Sequence, residues 1–216
     1  GGEQIHDEGP AEVALAELKD PRLARSLDFT VAPGENIAIV GPPASGKTLL
    51  LRFVYGMATP ADGKLLVDGV DLKRVDLRHF RSGVFAIDAD VVAPPMAIGE
   101  YLHLHAPYAT SEEVYAAFET VGIGDVVGDL PAGLETLLSP GGGPLSRSQM
   151  LRLSPARLFL HRPRLVLTDE SLDGLDHGIA SAVLGGPWTI LVVTASPAIE
   201  ALADRVVSLS TDEVAA

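Results

Sequence analysis

The sequence predicts an α/β fold: a doubly wound parallel sheet with a small antiparallel sheet beside it. Three observations carry that expectation. The octapeptide Gly41-Pro-Pro-Ala-Ser-Gly-Lys-Thr48 fits G-x-x-x-x-G-K-[ST] at every fixed position. It lies between Asn36-Ile-Ala-Ile-Val40, an apolar run that reads as a buried strand, and Leu49-Leu-Leu-Arg-Phe-Val-Tyr55, which forms a helix with one apolar face. Downstream, Leu165-Val-Leu-Thr-Asp-Glu170 and Thr189-Ile-Leu-Val-Val-Thr194 are short, rich in β-branched residues and bounded by Pro or Gly, as strands buried on both faces are. Strands alternating with helices in this way build a parallel sheet.

In chain order, residues 11–33 alternate weakly (Val13, Leu15, then Leu27, Phe29, Val31), and Pro33-Gly34-Glu35 turns the chain into the strand before the octapeptide. Lys64-Leu-Leu-Val-Asp-Gly-Val-Asp-Leu72 carries Asp68-Gly69 between apolar pairs, a two-residue hairpin signal, and completes the antiparallel sheet. Arg81 to Ile87 supplies another core strand. From there to about Gly143 the pattern turns helical; one helix starts at Ser111, with Glu113 nearby, shows Val114, Ala117, Phe118 and Val121 on one face, and stops at Gly122. Trp188, after Gly185-Gly-Pro187, reads as a packing anchor at a strand start. Neither repeats nor low-complexity tracts interrupt the pattern.

The chain has 216 residues, enough for one ample domain or two small ones with a real core. Sixteen Lys and Arg against 29 Asp and Glu give a net charge of −13, which repels a phosphate backbone and argues against a nucleic-acid partner. Without cysteine, disulfides and thiolate metal sites are excluded. No apolar run reaches the ~20 residues of a membrane span, and no secretory leader is read at the start, so a soluble, intracellular piece is the expectation. Gly1-Gly2 reads as an expression scar, which would make the chain an excised part of something larger.

The octapeptide carries the chemistry. Between a strand and a helix, the main-chain N–H groups of Gly41, Pro42, Pro43, Ala44, Ser45, Gly46, Lys47, Thr48 and Leu49 (the prolines excepted) wrap round one point, and the helix N-terminus adds partial positive charge. Such a nest binds phosphate. Lys47 would reach the β- and γ-phosphates, and the Thr48 hydroxyl would hold Mg²⁺. Asp169 and Glu170 end a strand at the edge where open α/β sheets place ligands. Asp169 would hold the same metal through water, and Glu170 would orient and deprotonate the attacking water. The acidic cluster Asp169, Glu170, Asp173 and Asp176 is part functional and part exposed loop. His103 and His105, at i and i+2, share no helix face and are not read as a metal pair; His6, His79, His161 and His177 have no ligand constellation.

With these motifs in this order, the chain resembles the nucleotide-binding domain of an ABC transporter, of exporter or secretion type, from about Val13 to Ser210. Leu145-Ser-Arg-Ser-Gln149 stands where that family has its signature L-S-G-G-Q, so the resemblance makes Leu145, Ser146, Arg147, Ser148 and Gln149 contacts to a partner's nucleotide. Ser171-Leu-Asp-Gly-Leu-Asp176 resembles the D-loop, Gly133 to Gly143 the exporter X-loop, and Thr194-Ala-Ser-Pro-Ala198 the T-H-R-P-A segment. The resemblance implies a P-loop NTPase fold with a RecA-like core and antiparallel β subdomain in residues 1–88 and 153–216, and an inserted helical subdomain in 89–152. It also implies ATP and Mg²⁺ as ligands and catalysis by Glu170 and Lys47. Its partners would be a second nucleotide-binding domain, identical or not, and a transmembrane domain fused upstream, at the cytoplasmic face of an inner membrane.

Departures from the family pattern are expected to matter. Ala89 and Ala195 stand where a glutamine and a histidine normally meet Mg²⁺ and the γ-phosphate, and alanine makes no side-chain hydrogen bond. Each lost contact to the transition state would cost about 2–4 kcal/mol, and two would slow turnover by a factor of about 10³ if additive. Residues 1–28 contain no Phe, Tyr or Trp for the usual adenine stack. Arg147 and Ser148 replace two glycines that permit close approach to phosphate. Ser154-Pro155 reads as an N-cap followed by the first helical residue, which predicts a break in the signature helix. Three functions follow: an energy-coupling exporter ATPase, a regulatory partner that binds ATP but hardly hydrolyses it, and, least favoured by the acidic surface, a soluble ATPase acting on DNA or ribosomes.

Overall fold

The computed structural model describes residues 8–87, 95–139 and 143–210. In chain order they form β1 (Val13–Lys19), β2 (Leu27–Val31), β3 (Asn36–Val40), α1 (Lys47–Val54), β4 (Asp62–Val67), β5 (Val70–Asp71), α2 (Leu77–Ser82), β6 (Val84–Ile87), α3 (Ile98–His103), α4 (Ser111–Thr120), α5 (Gly124–Gly128), α6 (Arg147–Leu151), α7 (Leu153–His161), β7 (Leu165–Asp169), α8 (His177–Leu184), β8 (Thr189–Val193), α9 (Pro197–Glu200) and β9 (Arg205–Ser208). Contacts divide the chain into two compact units, one of residues 1–86, 163–173 and 184–216, the other of 87–162 and 174–183. The helical unit therefore takes in α7 and most of α8, which the motif order groups with the core; α7 packs on α3, α4 and α6.

The first unit holds two sheets. One is antiparallel, in the order β2-β1-β4-β5; the other, β6-β7-β8-β3-β9, pairs β7 with β8 and β3 with both β8 and β9 in parallel. Ile37, Ile39, Leu167, Leu191 and Val193 from the parallel sheet, Val13, Leu15 and Val67 from the antiparallel one, and Leu50 and Phe53 from α1 share one apolar core. Trp188 is buried beside the start of β8. At the hairpin tip Asp68 and Gly69 both take positive φ (50° and 78°), the turn that matches strand twist. Asp68 does more than turn: its carboxylate accepts from Arg164 Nη2 at 2.8 Å and Glu12 N at 3.0 Å. The sequence reading missed β9. Its four residues include only two apolar ones, and the strand is fixed by distant pairs: Asn36 and Asp204 exchange hydrogen bonds at 2.9 Å, and Arg205 Nε donates to Glu35 at 2.8 Å.

Local rules set the helical unit. Thr110 caps α4 by accepting from Glu113 N at 3.2 Å, while the Glu113 carboxylate accepts from Thr110 N at 2.8 Å. Val114, Ala117 and Phe118 are buried, and Gly122, at φ 68°, ends the run. His103 bonds the carbonyls of Gly99 (2.7 Å) and Ala109 (3.0 Å), tying α3 to the following loop. The break in the signature helix falls at Arg152, between α6 and α7, rather than at Ser154, and Pro155 is the third residue of α7. The reason is the missing proline N–H: it opens the ladder one turn earlier, at the Leu151 carbonyl, and the helix resumes with Ala156 N donating to Arg152 O at 3.1 Å.

Two outcomes test this account. At Gly63 (φ 85°) a Cβ would lie 2.4 Å from the carbonyl oxygen of Glu17, the left-handed bulge residue of β1. Gly63→Ala is therefore expected to destabilise the chain by about 2 kcal/mol or more in urea unfolding. His105 is held to a pKa of about 4 by burial, then by the nearby Arg157 and His161. The unfolded ring protonates first as pH falls, so this group's contribution to stability is complete above about pH 6.5 and is lost between there and about 4. The stability lost between about pH 7.5 and about pH 5 should be smaller in His105→Asn, which cannot titrate.

Candidate functional site

The phosphate loop leaves β3, whose Ile37, Ala38 and Ile39 are fully buried between β8 and β9, so both its edges are paired. It then runs through unusual backbone: Ala44 at φ 62° and Gly46 at φ 96°. At Gly46 a Cβ would lie 2.6 Å from Leu23 Cδ2 and 3.0 Å from the Arg22 carbonyl, so glycine is required twice over, by angle and by room. The helical ladder begins with Leu50 N donating to Gly46 O at 2.8 Å. The amides of Lys47, Thr48 and Leu49 thus precede any intrahelical acceptor and face the loop's concavity with the positive end of α1. Lys47 Nζ closes over the loop, donating to the carbonyls of Gly41 (2.9 Å) and Pro42 (3.0 Å). Pro42, Pro43 and Ala44 form an exposed rim. Ser45 is buried, and its hydroxyl has no hydrogen-bond partner among the described residues.

Asp169 ends β7 and meets α1: its carboxylate accepts from the Thr48 hydroxyl at 2.7 Å. One neutral and one anionic oxygen at this spacing, beside an amide-lined cradle, suit Mg²⁺ on a triphosphate, which takes hard oxygen ligands. Glu170 follows, exposed and left-handed (φ 58°), with its amide anchored to the Val193 carbonyl at 2.9 Å. A non-glycine residue in that region carries strain of about 1–2 kcal/mol, and such residues concentrate at working sites.

Asp173 has a defined task that sequence reasoning did not separate from the acidic cluster. It accepts from the Thr194 hydroxyl at 2.5 Å and from Ala195 N at 3.0 Å, and Thr194 Oγ1 in turn accepts from Ser196 N at 2.9 Å. Position 195 thus lacks a polar side chain and has its main-chain donor already engaged. In the helical unit Asp176 pairs with Arg152. There too lie the signature residues. Leu145 is buried; Ser146 caps α6, accepting from Gln149 N at 3.3 Å, while Gln149 Oε1 accepts from Ser146 N at 2.8 Å. The S-x-x-Q spacing is a capping box, a signal the sequence carried and the reading passed over. Ser148 Oγ lies 3.1 Å from Ser146 Oγ, and Arg147 is exposed. Of the X-loop-like segment, Thr136 accepts from Ile98 N at 3.0 Å, and Leu138 N donates to Met96 O at 2.8 Å. Ala89 and His6 lie outside the described residues.

A left-handed alanine in the loop gives a direct check. Ala44→Gly removes the clash between Cβ and carbonyl at φ 62°. It should raise unfolding stability by up to about 1 kcal/mol, the entropy of the unfolded glycine offsetting part of the gain. A loss of stability would show that Ala44 is not left-handed in solution.

Comparison with known proteins agrees with this geometry. The family model for the ABC transporter matches residues 24–173. The mitochondrial iron-sulfur clusters transporter ATM1 of Kluyveromyces lactis is 33% identical over 164 residues, covering 76% of this chain and 23% of that protein. The ATP-dependent lipid A-core flippase of Burkholderia orbicola is 32% identical over 204 residues, covering 90% of this chain and 33% of that one. The structure of a bacterial Atm1-family ABC exporter with ATP bound superposes with a TM-score of 0.83 at 26% identity, covering 97% of this chain and 39% of that one. The chain thus spans a quarter to a third of the length of these curated relatives. By the family match over its phosphate loop and Asp169–Glu170 strand, the chain belongs to the ABC transporter family and has its P-loop NTPase fold.

Proposed function

We propose that this chain is the nucleotide-binding domain of an ABC exporter, coupling ATP binding, and hydrolysis to whatever degree its site permits, to transport across a membrane. The observation that carries the reading is the loop itself: an amide cradle closed by Lys47, with the Thr48 hydroxyl and Asp169 carboxylate 2.7 Å apart beside it. The backbone of residues 41–49 would bind the phosphates, and Lys47 would exchange its loop carbonyls for phosphate oxygens. Thr48 and Asp169 would hold Mg²⁺, which supplies charge neutralisation on the phosphates. Glu170 would take the proton of the attacking water, at its carboxylate. Relatives of greater length that are named as transporters support a fused transmembrane partner, and with it a place at the cytoplasmic face of the membrane. A second nucleotide-binding domain would meet residues 145–149.

A specific observation favours a second reading, in which this domain binds ATP but turns it over slowly, as the regulatory half of a pair. With Ala195 bare and its N–H held by Asp173, position 195 offers no donor to a γ-phosphate. Phosphate-release assays on the purified chain distinguish the two. ATP should bind with Mg²⁺, and Lys47→Ala should abolish that binding. Basal hydrolysis should be slow, should vanish in Glu170→Gln, and should rise on the order of 10²-fold in Ala195→His, the scale of one restored transition-state donor. Rapid turnover by the unaltered chain would overturn the second reading; absence of ATP binding would overturn both.

A further inference from the structure

The helical unit holds a cleft of about 530 Å³, the size of a small-molecule site, that has no part in the nucleotide reading. It is walled by the loop after α3, one face of α4 and the end of α7. The loop is a tight turn, with Ala109 N donating to Ala106 O at 3.1 Å and Pro107 at its second position, where proline's fixed dihedral suits the turn. His103 Nε2 bonds the Ala109 carbonyl at 3.0 Å, so this lip is set before any ligand arrives. It holds Tyr108 out in solvent, 95% exposed. On α4, Glu113, Ala116 and Thr120 face the cleft at helical spacing. Both polar groups there are already engaged: the Glu113 carboxylate accepts from Thr110 N at 2.8 Å, and Thr120 Oγ1 donates to Ala116 O at 3.0 Å.

Positive charge gathers at the α7 wall. The Arg157 guanidinium lies over the Tyr101 ring at 4.4 Å and donates to His105 Nδ1, while His161 Nδ1 donates to the His105 carbonyl at 3.0 Å. Burial first, then Arg157 and His161, hold the His105 ring to a pKa of about 4, so the ring is neutral in a positive field. Arg162, next in the chain after His161, lines the cleft itself. Its side chain is exposed and makes no hydrogen bond or ion pair among the described residues. Its backbone is left-handed (φ 50°), where a helix end usually takes glycine, so this guanidinium is carried at a conformational cost. In a chain of net charge −13, such a patch suits an anion.

We propose that this cleft binds a small aromatic carboxylate, its anionic head on Arg162 and its ring among the loop after α3, Ala116 and Phe159. Charge complementarity sets the head, since Arg162 is the cation in the cleft with nothing yet to pair with and the Glu113 carboxylate is spent on its cap. The body is set by the apolar walls and by the Tyr108 ring at the rim, a face on which a flat ligand stacks. A protein partner would need about 800 Å² on each side, which a cleft of this volume does not supply, whereas a bicyclic ring is within its size. Walls fixed in advance leave little ordering to complete on binding.

Titration of the whole chain with naphthoate and its neutral isostere naphthamide, followed by calorimetry and by proton NMR of the histidine rings, tests it. Naphthoate should bind and move the His105 ring signals, and naphthamide should bind on the order of tenfold more weakly. Arg162→Gln should weaken naphthoate on the order of tenfold and leave naphthamide unchanged. Ala116→Leu, which fills the cleft from an exposed helical position, should weaken both ligands. Excess ATP with Mg²⁺ should not displace naphthoate. Should either variant fail to fold, the other still decides, because a ligand in this cleft must respond to its charge and to its filling alike. Equal affinity for the two ligands would mark a general apolar face, as for a protein partner, and overturn the proposal. So would displacement by ATP, naphthoate binding that no folded variant weakens, or no binding at all.

Discussion

The structure depends on β3 being held along both edges. Its ladder to β8 on one side and β9 on the other, with Ile37 to Ile39 fully buried, leaves the strand no freedom to slide. Because both ladders pair it residue by residue, register here is also position. The loop that follows can then hold Ala44 and Gly46 in left-handed backbone, since strain is kept only where the surroundings over-determine it. The same register brings Asp169, at the end of β7, to the Thr48 hydroxyl through two successive parallel ladders.

Around that frame, the two halves of the site's chemistry differ. The parts that would grip an anion are main chain plus one ammonium, and they need only the loop's conformation. The parts that would act on a leaving phosphate are side chains at strand ends. Glu170 keeps its carboxylate; Ala195 offers none of the usual contact, and Asp173 engages the N–H that remains. Asp173 also joins the turn after β7 to the turn after β8, so the geometry around Glu170 and that around Ala195 are set together. On the second reading proposed above such a site favours occupancy over turnover, so affinity and rate are the two quantities to separate.

Electrostatics point the same way. Against a net charge of −13, several cations are held on defined acceptors. Lys47 lies on loop carbonyls, Arg22 on Asp20, Arg164 on Asp68 and Arg205 on Glu35. Of these, Lys47 lies on the loop itself, so it would meet an anionic ligand with little side-chain ordering left to complete.

Local chemistry determined much by itself. The octapeptide, the Asp68-Gly69 turn, the α4 helix with its Gly122 stop and the apolar runs of β7 and β8 each follow from backbone preference or periodicity within a few residues, so they are legible in sequence. Tertiary structure alone decided the rest. It made Arg205 to Ser208 a strand, because its partners lie some 170 residues away in the chain. It gave Asp173 its task, because a side chain's role depends on the acceptor or donor that folding places against it, and no spacing along the chain encodes that meeting.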